Sequence, residues 1–410
     1  MAQTEHLVSV GDAVSLAVQL HRSGRLDEAE ALYRRILEVA PGNPDALHFL
    51  GLLTHQRGRS AEGVDLIRQA LARMPDYPDA LSNLGNVLRS QGELAEAEAC
   101  YRRALVLRPD HSPALLMLGA VLDCQGRGAE ATDHYRRAVE AGSDEPDLLR
   151  LVGATLRAEG RLEEAAALYR RWLAAHPNDV EPLHLLAACT REEVPERAAD
   201  GYVERLFDRF AETFDDKLAQ LDYRAPALVA GALARVVGPP RADLVVLDAG
   251  CGTGLCGQPL RPYARELVGV DLSAEMLGRA SGRGLYDRLV QAELTAFLEG
   301  NTESLDLIVS ADTLVYFGSL EVVLKVAARA LRPGGHLVFT LERADPDAAP
   351  TGFRLNSTGR YSHSPPYVEM ALRDAGLTAP ITDRVVPRKE GGGDVDGLLV
   401  VAQRPPPTAR

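Results

Sequence analysis

A run of alternating glycines in the second half of the chain has the residue types of a ligand-binding loop. The segment Asp-Ala-Gly-Cys-Gly-Thr-Gly begins at Asp248 and ends at Gly254. Glycines remove side chains where a backbone must pass close to a ligand. Asp271 follows 17 residues after Gly254 (271 − 254 = 17), and a carboxylate there can accept hydrogen bonds from two ribose hydroxyls. Loop and acid together predict a site for a cofactor that contains a nucleoside.

The same loop leaves a second type of cofactor open. Gly252 to Gly257 matches the dinucleotide pattern G-x-G-x-x-G, which would make the protein a nicotinamide-dependent oxidoreductase. That pattern normally begins directly after its strand, because the pyrophosphate lies at the start of the next helix. Here Asp248 and Gly250 come first, which makes the dinucleotide alternative the weaker one.

Short apolar runs predict the strands that position the loop and the acid. They alternate with segments of helical length at 275–280 and 320–331, and they cover residues 244–247, 267–270, 305–309 and 336–340. This alternation favours an α/β fold with a mainly parallel sheet. Ligands of such sheets bind at the carboxyl ends of the strands, where Asp248 and Asp271 both lie. Residues 381–386 and 398–402 predict a closing antiparallel pair.

The order of four motifs resembles that of class I S-adenosylmethionine-dependent methyltransferases. The first motif is the glycine loop with Leu247 before it, the second is Val-Asp-Leu-Ser-Ala-Glu-Met-Leu ending at Leu277, the third is Asp-Leu-Ile-Val-Ser-Ala-Asp ending at Asp312, and the fourth is Leu-Arg-Pro-Gly-Gly-His-Leu-Val ending at Val338. The resemblance covers about residues 202–404 and implies a Rossmann-like fold with S-adenosylmethionine as cofactor. It does not specify the methyl acceptor.

The same resemblance implies a role for each residue of the loop. Gly250, Gly252 and Gly254 would pass under the methionine part of the cofactor, Asp248 would help to place its amino group, and Asp271 would hold the ribose hydroxyls. An unliganded acid at a buried strand end would be costly, so a purely structural role for Asp248 is the weaker interpretation.

Further cofactor contacts are implied around the adenine and the reacting methyl group. Leu272 and Met276 would pack on the adenine, although Met276 fits a core position equally well. Glu293 stands where family members often have an aspartate for the adenine amine, and it also fits a surface carboxylate. The remaining residues of the predicted cofactor site are Cys251 and Ala292, and Ala311 and Asp312 behind the methyl group.

Methyl transfer needs little catalytic machinery from the protein. The donor brings its own electrophile and leaving group, so that geometry and water exclusion suffice, and a base is needed only if the acceptor must lose a proton. His363, Tyr361 and Tyr316 are the candidates for orienting or deprotonating the acceptor, the first two at the end of an irregular segment, 341–364. Alternatively they anchor that segment. A helix over 206–218 is a candidate lid.

The first half of the chain is periodic. Five glycines stand 34 residues apart (58 − 24 = 34), at Gly24, Gly58, Gly92, Gly126 and Gly160. A second column at the same interval is mostly aromatic: Tyr33, Ile67, Tyr101, Tyr135 and Tyr169. A third is Gly51, Gly85, Gly119 and Gly153. The period and columns resemble the tetratricopeptide repeat, five helical pairs over residues 12–180 with a capping helix near 182–189.

Repeat arrays of this kind commonly hold a peptide or a partner helix on a concave face. The resemblance therefore implies a protein or peptide partner for an all-α solenoid at 12–190. Alternatively, the array mediates self-association or acts as a spacer. We predict a linker at 191–201, the methyltransferase domain at 202–404 and a disordered tail at 405–410.

Composition bounds the remaining possibilities. A net charge of −13 disfavours nucleic acid as a ligand. We expect no membrane span, no signal peptide and no metal site, and five cysteines without a paired pattern fit the cytoplasm.

The whole chain resembles a bacterial group of predicted methyltransferases that carry tetratricopeptide repeats. It is predicted to methylate a small molecule or a protein, with the repeats recruiting a protein. The main alternative is a non-catalytic interaction protein that binds the cofactor as a sensor or for structure.

Overall fold

The computed structural model describes residues 9–406, apart from the side chains of Ala379 and Pro380. The chain divides into two compact units, Met1–Val152 and Gly153–Arg410. The predicted domain limits of 12–190, 191–201 and 202–404 stay predictions, and the predicted tail lies mostly outside the described residues. Within the described range, no helix combines the length and the apolar character that crossing a bilayer requires.

The first unit consists of paired helices. They are α1 (Val10–Arg22), α2 (Leu26–Val39), α3 (Pro44–Gln56), α4 (Ser60–Arg73), α5 (Pro78–Ser90), α6 (Leu94–Leu107), α7 (Ser112–Cys124) and α8 (Gly128–Glu140), and α9 (Pro146–Ala158) crosses the boundary. Gly24, Gly58, Gly92 and Gly126 join the two helices of successive pairs with φ between 75° and 84°. A glycine in the left-handed conformation therefore follows the first helix of each of these pairs.

One glycine column and the mostly aromatic column form a repeated steric contact. This glycine column is Gly51, Gly85, Gly119 and Gly153. A Cβ built on Gly85 would lie 2.6 Å from Cε1 of Tyr101, and one on Gly119 would lie 2.5 Å from Cε1 of Tyr135. A real side chain cannot approach that closely, so the missing Cβ of the first helix admits the ring of the second. These two columns of the repeat are therefore the two sides of one contact between paired helices.

The second unit begins with more helices and continues into a sheet. Its helices are α10 (Leu162–Ala175), α11 (Val180–Thr190), α12 (Asp200–Phe210), α13 (Phe214–Gln220), α14 (Ala225–Val236), α15 (Gly257–Leu260), α16 (Ala274–Gly282), α17 (Leu294–Glu299), α18 (Glu321–Ala330) and α19 (Pro365–Asp374). Its strands are β1 (Leu244–Ala249), β2 (Ala264–Asp271), β3 (Arg288–Gln291), β4 (Leu305–Ser310), β5 (Leu331–Arg343), β6 (Phe353–Leu355), β7 (Tyr361–His363), β8 (Thr378–Val385), β9 (Lys389–Glu390), β10 (Gly393–Asp394) and β11 (Gly397–Gln403).

The main sheet has the order β3-β2-β1-β4-β5-β11-β8. Strands β1 to β5 pair in parallel along this path, and β11 lies antiparallel between β5 and β8. This arrangement confirms the predicted parallel sheet and its closing antiparallel pair. Because β1 is flanked by β2 and β4, the carboxyl ends of these three strands meet at one edge, where chain order reverses and ligands bind.

Two local features differ from the sequence-based expectation. The lid helix expected over 206–218 is two helices, α12 and α13, separated by a turn of 3₁₀ helix at Ala211–Thr213. The segment 341–364, expected to be irregular, contains β6 and β7, and β7 extends the sheet by pairing with the end of β5. Strands of three residues carry too short a pattern to be recognised in a sequence.

Candidate active site

The glycine loop is tied to the neighbouring strand by its backbone. It follows β1, and the N–H groups of Gly250 and Cys251 donate to the carbonyl of Val270 over 2.8 and 3.0 Å. Cys251, which was predicted for the cofactor site, is buried within the loop. The loop thus begins at the carboxyl end of β1 and is held beside the carboxyl end of β2.

The glycines of this loop serve different purposes. A Cβ on Gly250 would lie 2.1 Å from Oγ1 of Thr313, so Gly250 permits close packing. Gly252 has φ of 54°, and the nearest atom to a Cβ built there is Cε1 of Phe214 at 3.9 Å. The space above Gly252 is therefore open, as a backbone that receives a ligand requires.

Asp271 lies beside that open space. Its Oδ2 accepts a hydrogen bond from the N–H of Gly252 over 2.8 Å, and its Oδ1 accepts one from the N–H of Ser273 over 3.0 Å. Each carboxylate oxygen keeps one further lone pair, which is the capacity needed for two ribose hydroxyls. Burial raises the pKa of Asp271, and the backbone donors oppose that shift. The loop and this acid therefore fit the nucleoside cofactor predicted from the sequence.

Asp248 is the second acid of the site and is only 1% exposed. Its Oδ2 accepts a hydrogen bond of 2.6 Å from the hydroxyl of Tyr286, a residue that the sequence did not identify. Burial raises the pKa of Asp248 to about 7, and the Tyr286 hydrogen bond opposes that rise. No spacing rule links the two residues, because Tyr286 comes from the irregular connection between α16 and β3.

Helices α12 and α13 lie against the loop and the start of α16. The hydroxyl of Ser273 donates to Asp208 of α12, and the hydroxyl of Thr253 donates to Asp215 of α13. Asp215 also forms an ion pair with Arg283. These contacts place the two helices where the sequence predicted a lid.

The residues predicted around the adenine separate into two groups. Leu272 and Ala292 are half-buried near Asp271, whereas Met276 is fully buried, which favours its alternative interpretation as a core residue. Both oxygens of Glu293 are engaged: Oε2 caps α17 by accepting the N–H of Ala296 over 2.8 Å, and Oε1 accepts from Arg197 over 2.9 Å. Because a cation already pairs with this carboxylate and its second oxygen caps a helix, the geometry favours a structural role for Glu293.

Asp312 follows β4 and Ala311, which is half-buried, and it adopts a left-handed backbone with φ of 55°. Its backbone N–H donates to Oγ1 of Thr340 over 2.8 Å, and its Oδ2 accepts a 2.7 Å hydrogen bond from Arg388. Arg388 is only 5% exposed and also pairs with Glu342 at the end of β5. The sequence did not identify this network, which holds an uncommon backbone conformation at the strand ends.

The structure does not place His363 or Tyr361 where an acceptor could touch them. Both are fully buried on β7. His363 Nε2 lies 3.0 Å from the carbonyl of Gly318, and burial lowers the pKa of this histidine to about 4. The Tyr361 hydroxyl donates to the carbonyl of Pro195 over 2.8 Å. Their burial and backbone partners favour the alternative that they anchor the segment.

Tyr316, the third predicted catalytic residue, occupies a different environment. It is half-buried after β4, with its ring edge-on to Phe207 of α12 at 5.5 Å. Burial raises the pKa of its hydroxyl, and the charges of Arg360 and Arg388 oppose that shift. Of the three candidates, Tyr316 is the one beside the strand-end site.

Comparisons with known proteins agree with this geometry. Residues 247–339 match the family model of a methyltransferase domain, and residues 15–78, 76–143 and 116–180 match models of the tetratricopeptide repeat. The chain therefore joins tetratricopeptide repeats to a methyltransferase domain, whose cofactor is S-adenosylmethionine. The methyltransferase match includes the glycines of the dinucleotide-like pattern.

Relatives match within part of their length. The chain is 45% identical over 86 residues to methyltransferase-like protein 27 of Homo sapiens, which is 20% of this chain and 35% of that protein. It is 37% identical over 107 residues to malonyl-[acyl-carrier protein] O-methyltransferase of Enterobacter lignolyticus, which is 26% of this chain and 42% of that protein. The chain thus spans less than half the length of these two relatives.

A solved structure also matches part of the chain. An S-adenosylmethionine-dependent methyltransferase from Mesorhizobium loti is 24% identical, with a TM-score of 0.35, over 44% of this chain and 97% of that chain.

Proposed function

We propose that this chain is a cytoplasmic S-adenosylmethionine-dependent methyltransferase that methylates a small molecule or a protein and uses its repeats to bind a protein partner. The observation that carries the proposal is the hydrogen bond between Asp271 and the N–H of Gly252. It joins the residue suited to the ribose with the one loop position whose Cβ would project into open space.

Each group at the strand ends has a task in this proposal. The glycine loop brings bare backbone to the methionine part of the donor, Asp271 accepts from the ribose, and Asp248 faces the ammonium. The donor, when bound, supplies an activated methyl group on a sulfonium. Helices α12 and α13 exclude water from the site, since α13 already contacts the loop and α12 contacts Ser273 at the start of α16.

The acceptor side of the site lies beyond β4. Asp312 and Tyr316 present a carboxylate and a phenol there, and either can orient a hydroxyl or amine of the acceptor by hydrogen bonding. Arg388 forms an ion pair with Asp312 on the side of the carboxylate away from the acceptor in this proposal. We therefore replace His363 and Tyr361 by Asp312 and Tyr316 as the groups that face the acceptor.

The cofactor site is tested by calorimetry with S-adenosylhomocysteine. The parent protein is expected to bind, and Asp271→Ala is expected to weaken binding by about 100-fold, because each hydrogen bond to a charged group contributes roughly 1.5–3 kcal/mol. Asp287→Ala is the matched control. Asp287 also accepts a strand N–H, that of Leu267 over 2.7 Å, but near the start of β2 rather than at its carboxyl end. Absence of binding by the parent would refute the proposal.

Turnover distinguishes an enzyme from a cofactor-binding interaction protein. Each variant is incubated with host lysate and a donor that carries a labelled methyl group. We expect labelled product with the parent and with Asp287→Ala, and none above background with Asp271→Ala. Equal labelling with and without the protein, under conditions in which it binds the donor, would favour the non-catalytic alternative.

A further inference from the structure

Three glycines of the second unit make room for the ring of Tyr286. A Cβ on Gly254 in the loop would lie 3.0 Å from its Cε2, one on Gly257 in α15 would lie 2.9 Å from its hydroxyl oxygen, and one on Gly269 in β2 would lie 3.0 Å from its Cδ1. Glycine loop, helix and strand therefore all border the same ring. The ring of Tyr286 therefore packs between the glycine loop, α15 and β2.

The hydroxyl of this tyrosine forms a hydrogen bond with a buried acid. It donates to Oδ2 of Asp248, and within the described residues Asp248 accepts no other hydrogen bond. The titratable groups that interact with Asp248 are Asp271 at the end of β2, Cys251 in the glycine loop, Cys256 just before α15, Tyr223 in the connection before α14, and Tyr286 in the connection after α16. None of these is a cation. A buried carboxylate without a cation is costly, so a cationic ligand group is the missing partner.

We propose that Tyr286 is a positioning residue for the cofactor: it orients Asp248 and favours its ionised form, so that the carboxylate receives the ammonium of the donor. This inference rests on the proposed cofactor site. A proton and the ammonium then compete for the same carboxylate, which makes cofactor affinity depend on pH.

The sign of that dependence follows from the environment of Asp248. Burial raises the pKa of Asp248 to about 7, so the free protein is mostly protonated there below that value. Binding must then release the proton, and affinity is expected to fall by up to about tenfold for each pH unit below about 7. Above that value Asp248 is ionised already, and its contribution to the pH dependence ends.

The test is calorimetric titration of S-adenosylhomocysteine into the full chain between about pH 5 and about pH 9. The parent is expected to lose affinity below about pH 7 and to release up to about one proton on binding near pH 6, seen as a heat that varies with the buffer. Tyr286→Phe keeps the ring and removes the donor. We expect about a tenfold loss of affinity at pH 7 that shrinks toward pH 9, because without the hydroxyl the pKa of Asp248 rises further.

Two further variants make the outcome decisive. Tyr263→Phe changes a buried tyrosine of the same apolar cluster and is expected to leave the affinity and its pH profile unchanged. Asp248→Asn cannot titrate, so its weakened affinity is expected to be independent of pH over the acidic range. If circular dichroism shows that Tyr286→Phe does not fold, Asp248→Asn serves as the second probe.

Contradicting results differ for the two proposals. A parent that binds equally well at all pH values, a Tyr286→Phe loss that is the same at every pH, or a pH dependence that persists in Asp248→Asn would each overturn the role of Tyr286. A parent that does not bind at any pH would instead overturn the proposed cofactor site.

Discussion

The two units of this chain place a tyrosine against glycine in the same way, with different consequences. In the first unit Tyr101 packs against Gly85 and donates to Oδ1 of Asn86 over 2.8 Å. In the second unit Tyr286 packs against Gly254 and donates to Asp248 over 2.6 Å. The packing is equivalent, but one acceptor is a neutral amide and the other a buried acid that lacks a cation.

This difference separates a structural contact from a binding one. A neutral amide carries no charge and needs no counterion, so the contact is complete within the repeat. A buried carboxylate is only partly satisfied by one hydroxyl and remains suited to a cation from outside. A second difference concerns the glycines. Gly85 adjoins a ring within the repeat, whereas Gly252, two residues before Gly254 in the loop, adjoins open space.

The largest expected effect on this comparison comes from Gly85→Ala. The added methyl group would overlap the Tyr101 ring, and such overpacking costs about 1–3 kcal/mol in the free energy of unfolding. Urea unfolding followed by circular dichroism measures that loss, while the affinity for S-adenosylhomocysteine is expected to stay unchanged. Gly11→Ala is the control, since the nearest atom to a Cβ there is 3.8 Å away. Equal stability of both variants would show that the close contact is relieved at no cost.

The repeat contact could be predicted from the sequence because both of its halves recur every 34 residues. Periodicity reveals the two columns, and small beside aromatic residues suggest close helix packing. The partner of Asp248 has no such signal. Tyr286 is 38 residues away in sequence and reaches the acid only because β2 and α16, which lie between the two residues, return the chain to β1.

The same reasoning explains why some of the predicted site residues lie at the strand ends and others do not. Asp248 and Asp271 end strands with apolar, β-branched sequences, so the parallel sheet predicts their proximity. His363 was expected on a loop, but three residues of pairing with β5 and β6 suffice to bury it. Arg388 comes from the connection between β8 and β9, whose path no local pattern determines.

Gly252→Ala tests the glycine that adjoins open space in the second unit. Its main expected effect is on ligand binding rather than on packing. The methyl group would enter the open space above the loop, and we expect about a tenfold loss of S-adenosylhomocysteine affinity, equivalent to about 1.4 kcal/mol. Its left-handed backbone adds a cost of about 1–2 kcal/mol in the unfolding free energy. Unchanged affinity in a calorimetric titration would mean that the ligand does not pass over this glycine.

Tyr101→Phe is expected to have a smaller effect, confined to stability. Loss of the hydrogen bond to Asn86 should lower the free energy of unfolding by about 1 kcal/mol. Tyr33 is the matched control, because it fills the same repeat position, is fully buried, and within the described residues its hydroxyl has no hydrogen-bond partner. Tyr33→Phe should therefore leave stability unchanged or raise it. Equal losses in both variants would show that ring packing, not the hydroxyl, is being measured.

Glu293→Ser is expected to have the smallest effect, and it tests whether a carboxylate already satisfied by the protein contributes to binding. Serine retains a side-chain oxygen that caps α17 but is too short to reach an adenine amine. Because the charge of Glu293 is already paired with Arg197 and its other oxygen caps α17, we expect the affinity for S-adenosylhomocysteine to change by less than about twofold, or about 0.4 kcal/mol. A tenfold loss would instead show that Glu293 leaves these partners to hold the adenine, as the family resemblance implies. The contrast with Asp248, which is buried and has one donor, would then no longer separate binding acids from structural ones.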